Sequence, residues 1–118
     1  MSDIAQRDAE INQLILTGKA MDAFEKYYAD DVVMQENFDE PCVGKDANRK
    51  REYEFFGSIE QFHGAEMPTA AVGDDVSYSE WVWDLTFKGG HRVQMKQVAR
   101  REWRDGLVVH ERFYYNKG

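Results

Sequence analysis

"VSYSEWVWDLTF" (Val76 to Phe87), "HRVQMKQVARREW" (His91 to Trp103) and "LVVHERFYY" (Leu107 to Tyr115) follow one another with only "KGG" and "RDG" between them. Apolar and polar residues alternate within each stretch, the period of a strand with one buried face. Connections that short and that rich in glycine join antiparallel neighbours as hairpins. "GDD" sets off one more strand upstream, from Met67-Pro68 through Val72, so the second half of the chain reads as a meander of long strands.

The first half has a different period. Asp3 to Leu16 places Ile4, Ile11, Leu14 and Ile15 near helical spacing, with Ser2 as a cap and Gly18 as a stop. "KAMDAFEKYYADD" then sets Met21, Phe24, Tyr27 and Tyr28 on one face of a second, shorter helix. "VVMQE" (Val32 to Glu36) is β-branched and of strand length, and the loop "NFDEPCVG" ends it. Lys45 to Phe62 carries Phe55, Phe56, Ile59 and Phe62 on one stripe, a third helix closed by His63-Gly64. Helices first and strands afterwards predict an α+β domain in which helices pack one face of a curved antiparallel sheet.

At 118 residues the chain is expected to form a single domain, residues 1–118, with one core and no need of metal or disulfide staples. Its 22 acidic and 15 basic residues give a net charge of -7, which argues against nucleic acid and anionic membrane surfaces as partners. The basic clusters "NRKR" (Asn48 to Arg51) and "ARREWR" (Ala99 to Arg104) read as solvated faces with local ion pairs. Cys42 is the single cysteine and has no neighbouring histidine in the sequence, so neither a disulfide nor a catalytic thiol is expected. The N-terminus lacks the basic start and apolar core of a signal peptide, and no run reaches membrane-spanning length, so the expected location is cytoplasmic. The pairs Asp30-Asp31, Asp39-Glu40 and Asp74-Asp75 are adjacent in sequence and point apart in extended chain, and no metal site is expected from them.

Turn lengths set the expected register. A loop centred on Gly89-Gly90 that pairs Phe87 with Arg92 also pairs Val82 with Gln97 and Glu80 with Ala99. One face then holds Glu80, Val82, Asp84, Met95, Gln97 and Ala99, while Trp81, Trp83, Leu85 and Val98 take the other. The last hairpin has two competing turns: a two-residue Asp105-Gly106 turn, or a three-residue loop with Gly106 as bulge glycine. The second is preferred, because it places Leu107, Val109, Phe113 and Tyr115 with Met95 and Trp103, and it pairs Arg101 with Val109 and Ala99 with Glu111. Glu80, Ala99 and Glu111 then form a row across three strands, beside Arg101 and Gln97. The two glutamates would stand on the order of 10 Å apart, which leaves room for a ligand.

With "YADDVVMQENFDEP…VGKDA" and "WRDGLVVHERFYYN" in these positions, the whole chain resembles the nuclear transport factor 2-like superfamily and, within it, the SnoaL-like proteins. The resemblance implies a cone-shaped roll: a bent antiparallel sheet wrapped around three N-terminal helices, enclosing an apolar pocket with a few polar groups. It also implies homodimers packed through the outer sheet face, where Trp81 and Trp83 are expected. In ketosteroid isomerase, a relative, the general-base carboxylate falls at Glu36 of this chain, counting from "YADD". The tyrosine and aspartic acid of its oxyanion hole correspond to Ile11 and Ala99, so that part of the machinery is not carried over. The water-activating aspartate of limonene-epoxide hydrolase corresponds to Phe113, two residues after Glu111. SnoaL-type polyketide cyclases use an inward acid/base carboxylate on the later strands, a role open here to Glu111 or Glu80.

These readings converge on a small hydrophobic carbonyl or cyclic ligand, handled by proton transfer without a cofactor. Glu36 is the expected base, because a pocket raises a carboxylate toward neutrality by desolvation; the alternative is a strand-end carboxylate facing water. Arg101 and Gln97 are expected to polarise a ligand oxygen, with Glu111 or Glu80 as a second acid/base or as the partner orienting Arg101. Tyr28, Phe55, Met95, Trp103 and Phe113 are the candidates for the apolar wall. His63 is read as a helix C-terminal residue. The competing class is a non-catalytic dimeric module, one that binds a ligand or uses the tryptophan face to bind protein.

Overall fold

The computed structural model describes residues 4–117. Ser2, the expected cap, lies outside them. Two helices, α1 (Ile4–Leu16) and α2 (Ala20–Tyr27), lead into strand β1 (Tyr28–Glu36) and the short β2 (Cys42–Val43). Helix α3 (Lys45–Gly57) is followed by four strands: β3 (Ile59–Val72), β4 (Val76–Phe87), β5 (His91–Arg104) and β6 (Leu107–Tyr114). They form one six-stranded sheet in the order β2-β1-β6-β5-β4-β3. The β1–β6 pair is parallel and the rest antiparallel, so the sheet is mixed and not purely antiparallel as expected. No helix among the described residues is long and apolar enough to cross a membrane.

The core lies where α1 and α2 meet the start of the sheet. Ile4, Ile11, Phe24, Tyr27, Tyr28, Val32, Met34, Trp103 and Val108 are buried together there. Helix α3 covers the other end of the concave face and is fixed by Asn48, whose Nδ2 lies 2.9 Å from the carbonyl of Cys42, 2.8 Å from that of Gly44 and 3.3 Å from that of Val32. One buried amide thus ties the helix to the β1–β2 corner through three backbone carbonyls.

Three expectations change. Helix α3 stops at Gly57, with Ser58 donating its N–H back to Glu54 and Phe55, and Ile59 to His63 belong to β3. The apolar stripe continues past Gly57 only in sequence: Phe62 is half exposed, and His63 is paired with Thr86 Oγ1 at 2.7 Å instead of closing a helix. As the sheet edge, β3 tolerates Pro68 at a point where its register against β4 shifts.

The β4–β5 loop spans Lys88, Gly89 and Gly90, pairs Phe87 with His91, and uses φ of 100° and 86° at the two glycines. A one-residue slip turns every side chain of β4 over relative to β5. Trp81 therefore stands opposite Gln97 and Trp83 opposite Met95, both tryptophans on the concave face, whereas Glu80 lies exposed outside and accepts from Thr69 Oγ1 at 3.1 Å. The reason the tryptophans offered for a partner on the outer face disappears with this register.

The last hairpin uses the two-residue turn. Asp105 and Gly106 have φ of 54° and 79°, the two positive values of a tight primed turn, which pairs Arg104 with Leu107 and Trp103 with Val108. One extra residue on β6, Val109, then shifts the register so that Arg101 faces Glu111 and Ala99 faces Phe113. That bulge lets Val108 and Glu111, three apart, both point inward.

Candidate active site

Two groups of polar residues occupy the concave side. The deeper one centres on Arg101, whose side chain is 2% exposed. Its Nε donates to Glu111 Oε2 at 2.9 Å, and its Nη1 to Asp8 Oδ1 and Asn12 Oδ1 at 2.8 Å each. Asp8 also accepts from Ser77 Oγ at 2.8 Å, and Ser77 Oγ accepts from Trp103 Nε1 at 2.9 Å. Tyr28 donates its hydroxyl to Glu111 Oε2 at 2.7 Å. Burial first, then the negative charge of Glu111, raises the Tyr28 hydroxyl well above its ordinary pKa, so it stays a donor. Helix α1 and strands β1, β4, β5 and β6 are all pinned by this chain of bonds.

The second group lines a cavity of about 190 Å³ between α3 and the sheet. Its apolar wall comprises Phe24, Tyr28 and Met34, then Phe55 and Phe56 from α3, and Trp81, Trp83, Met95 and Phe113 from the sheet. The two tryptophan rings stack with centroids 5.6 Å apart and 24° between planes. Nε1 of Trp81 is satisfied by Ser79 Oγ at 2.8 Å, whereas Nε1 of Trp83 is buried with no partner among the described residues. Gln97 reaches the same wall and makes no side-chain hydrogen bond among them.

Glu36, Glu52 and Glu111 bring three carboxylates to this cavity, with Arg51 and Arg101. Glu36 follows Val32 and Met34 along the inward side of β1 and accepts from the Tyr115 hydroxyl at 3.0 Å. Burial and then the Glu36 charge push that hydroxyl up to about 12. Glu52 has no such donor. Burial, reinforced by the charges of Glu111 and Glu36 and opposed by Arg51, raises its carboxyl to about 7. Among the described residues no three His, Cys, Asp or Glu side chains converge to hold a metal ion.

The SnoaL-like domain family model matches residues 1–115. The chain belongs to this family. Among solved structures of similar fold is a Mesorhizobium loti protein named for SnoaL-like polyketide cyclases, at 29% identity and a TM-score of 0.85, covering 95% of this chain and 98% of that one. A nuclear transport factor 2-like protein of unknown function from Burkholderia xenovorans shares the fold at 21% identity and a TM-score of 0.75, covering 98% and 84%. So does a Bacillus subtilis protein bearing an isomerase name, at 17% identity and 0.80, covering 97% and 89%. No curated protein matches the chain.

Within this SnoaL-like domain the structure brings together Glu36, Gln97, Met95, Tyr28, Phe55, Phe113, Arg101 and Glu111, all in the cavity wall. Glu80 is outside it, for the register reason above, and Trp103 is not in the wall because its indole is committed to Ser77 and the core. Arg101 is enclosed by Glu111, Asp8 and Asn12, whereas the Gln97 side chain makes no hydrogen bond among the described residues. Sequence reasoning missed Glu52 and Asp8. Both had a signal: Asn48, Glu52 and Phe55 fall at i, i+4 and i+7 of α3, and Ile4, Asp8, Ile11 and Ile15 share one face of α1.

Proposed function

We propose that this SnoaL-like domain is an acid/base enzyme needing no cofactor, which moves a proton on a small hydrophobic carbonyl or cyclic compound held between α3 and the Trp81–Trp83 wall. The observation that carries this reading is Glu52: a carboxyl raised to about 7 in the wall of an apolar cavity. Such a group is half protonated near neutrality and can both take and return a proton. In the simplest reaction it removes a hydrogen from carbon beside a carbonyl, and the C–H electron pair shifts onto oxygen. Gln97, free of other hydrogen bonds among the described residues, donates to that oxygen. The proton returns to carbon at the same or a conjugated position, and the carboxylate is regenerated. Glu36, oriented by Tyr115, is the second carboxylate within the same cavity and the one expected from the sequence. A cavity of about 190 Å³ lies below the roughly 300–1,000 Å³ of drug-sized sites and suits compounds of one or two rings.

The test is a carboxyl-resolved NMR titration combined with exchange of α-hydrogens in deuterated water over a panel of small cyclic ketones. Glu52 should titrate near 7, and Glu52→Gln should slow exchange by about 100-fold or more. A midpoint in the ordinary carboxylate range, or exchange unaffected by that substitution, defeats the proposal.

A further inference from the structure

Arg51 stands apart from the other arginines. Arg7, Arg49, Arg92, Arg100, Arg101, Arg104 and Arg112 each donate a side-chain hydrogen bond to a protein oxygen. The Arg51 side chain has no hydrogen bond or ion pair among the described residues, although Glu54 lies three residues further along the same helix. It is exposed, yet it forms part of the cavity wall one residue from Glu52. Its positive charge is felt inside, where it opposes the rise of both Glu52 and Tyr115. The other guanidinium in the wall, Arg101, is buried and spends its Nε and Nη1 hydrogens on Glu111, Asp8 and Asn12.

We infer that the ligand of this cavity carries a carboxylate, which pairs with Arg51 at the mouth while its apolar body enters between α3 and the stacked tryptophans. The inference rests on the reading of the cavity as a ligand site and narrows the substrate class to small hydrophobic acids. A planar carboxylate matches the guanidinium fork through two parallel hydrogen bonds. A phosphate dianion fits less well, because one cation cannot offset two negative charges beside Glu36 and Glu52. A single negative charge is offset at the mouth by the Arg51 cation alone, which leaves Glu52 able to act as the base.

Calorimetric titration with 2-naphthoate and its neutral isostere 2-naphthamide, at low salt and pH 7, tests this on the native chain, Arg51→Met and Arg51→Lys. The native chain should favour the acid by about fivefold or more, the methionine variant should show no preference, and the lysine variant should recover part of it. Equal binding of acid and amide to the native chain, or a preference that survives Arg51→Met, overturns the pairing and leaves the cavity reading standing. If neither compound binds while Glu52 still titrates near 7, the inference falls alone. If neither binds and Glu52 titrates as an ordinary carboxylate, both fall.

Discussion

Two acidic regions share the concave face of this sheet, and they differ in what surrounds each carboxylate. Around Arg101, Asp8 and Glu111 meet a guanidinium, an amide, a serine and a tyrosine within hydrogen-bond distance. Around the cavity, Glu52 meets aromatic carbon and the like charges of Glu36 and Glu111. The first arrangement fixes charges in place and the second leaves one undecided. A buried ion network specifies which elements touch, whereas a carboxyl without a hydrogen-bond donor in a largely apolar wall is poised to exchange a proton.

The widest separation between the two regions should come from Arg101→Met. Removing the cation leaves Asp8 and Glu111 buried without a counter-charge, and loss of one member of a buried pair costs about 3–5 kcal/mol. Urea unfolding should show a midpoint shift of that size, and replacing Arg101, Asp8 and Glu111 together by apolar residues should recover most of it. A shift under about 1 kcal/mol would mean the network adds little to stability.

Glu52→Gln should act in the opposite direction. Because the folded state raises the Glu52 carboxyl to about 7, it holds the proton more tightly than the unfolded chain does. Native stability therefore falls as pH rises from the unfolded value of about 4.3 through 7, and the glutamine variant lacks that slope. At pH 4 the two proteins should unfold alike. At pH 8 the variant should be the more stable by roughly 2–3 kcal/mol, read as a pH-dependent difference in urea midpoints. Parallel curves for the two proteins would remove the distinction between the regions.

How far these regions could be read from sequence follows from how each is built. The class of fold, its three helices and its meander were legible because they rest on periods of 3.6 and 2 repeated over many residues. The faces of β4 were not, because one residue of loop length decides them, and Lys88 to Gly90 admits more than one turn. That residue exchanged Glu80 for Trp81 and Trp83 in the cavity. Arg101 and Glu111 survived the wrong turn choice for a local reason: the bulge at Val109 restored the parity of β6 that the two-residue turn had changed. Glu52 stayed hidden because a glutamate among Arg49, Lys50, Arg51 and Glu54 looks like a solvated helix face. Only the anchoring of Asn48 to the β1–β2 corner shows that this turn of α3 looks inward.

The smallest effect should come from a two-bonded ion pair outside both regions. Arg92 grips Asp84 with two hydrogen bonds, Nε to Oδ1 at 3.0 Å and Nη2 to Oδ2 at 2.8 Å, a geometry no poorer than that of Arg101 with its acids. The Arg92 contact lowers the Asp84 carboxyl below its ordinary value, so by distance and direction alone it resembles the buried network. Its side chains, however, are 61% and 34% exposed, against 2% and 3% for Arg101 and Asp8. Water already solvates both charges, and releasing them costs little. Arg92→Met should thus leave the urea midpoint within measurement error, whereas a clear loss would show that bond geometry outweighs burial in this sheet. The comparison between Arg92 and Arg101 thus sets an exposed pair against a buried network with hydrogen bonds of similar length.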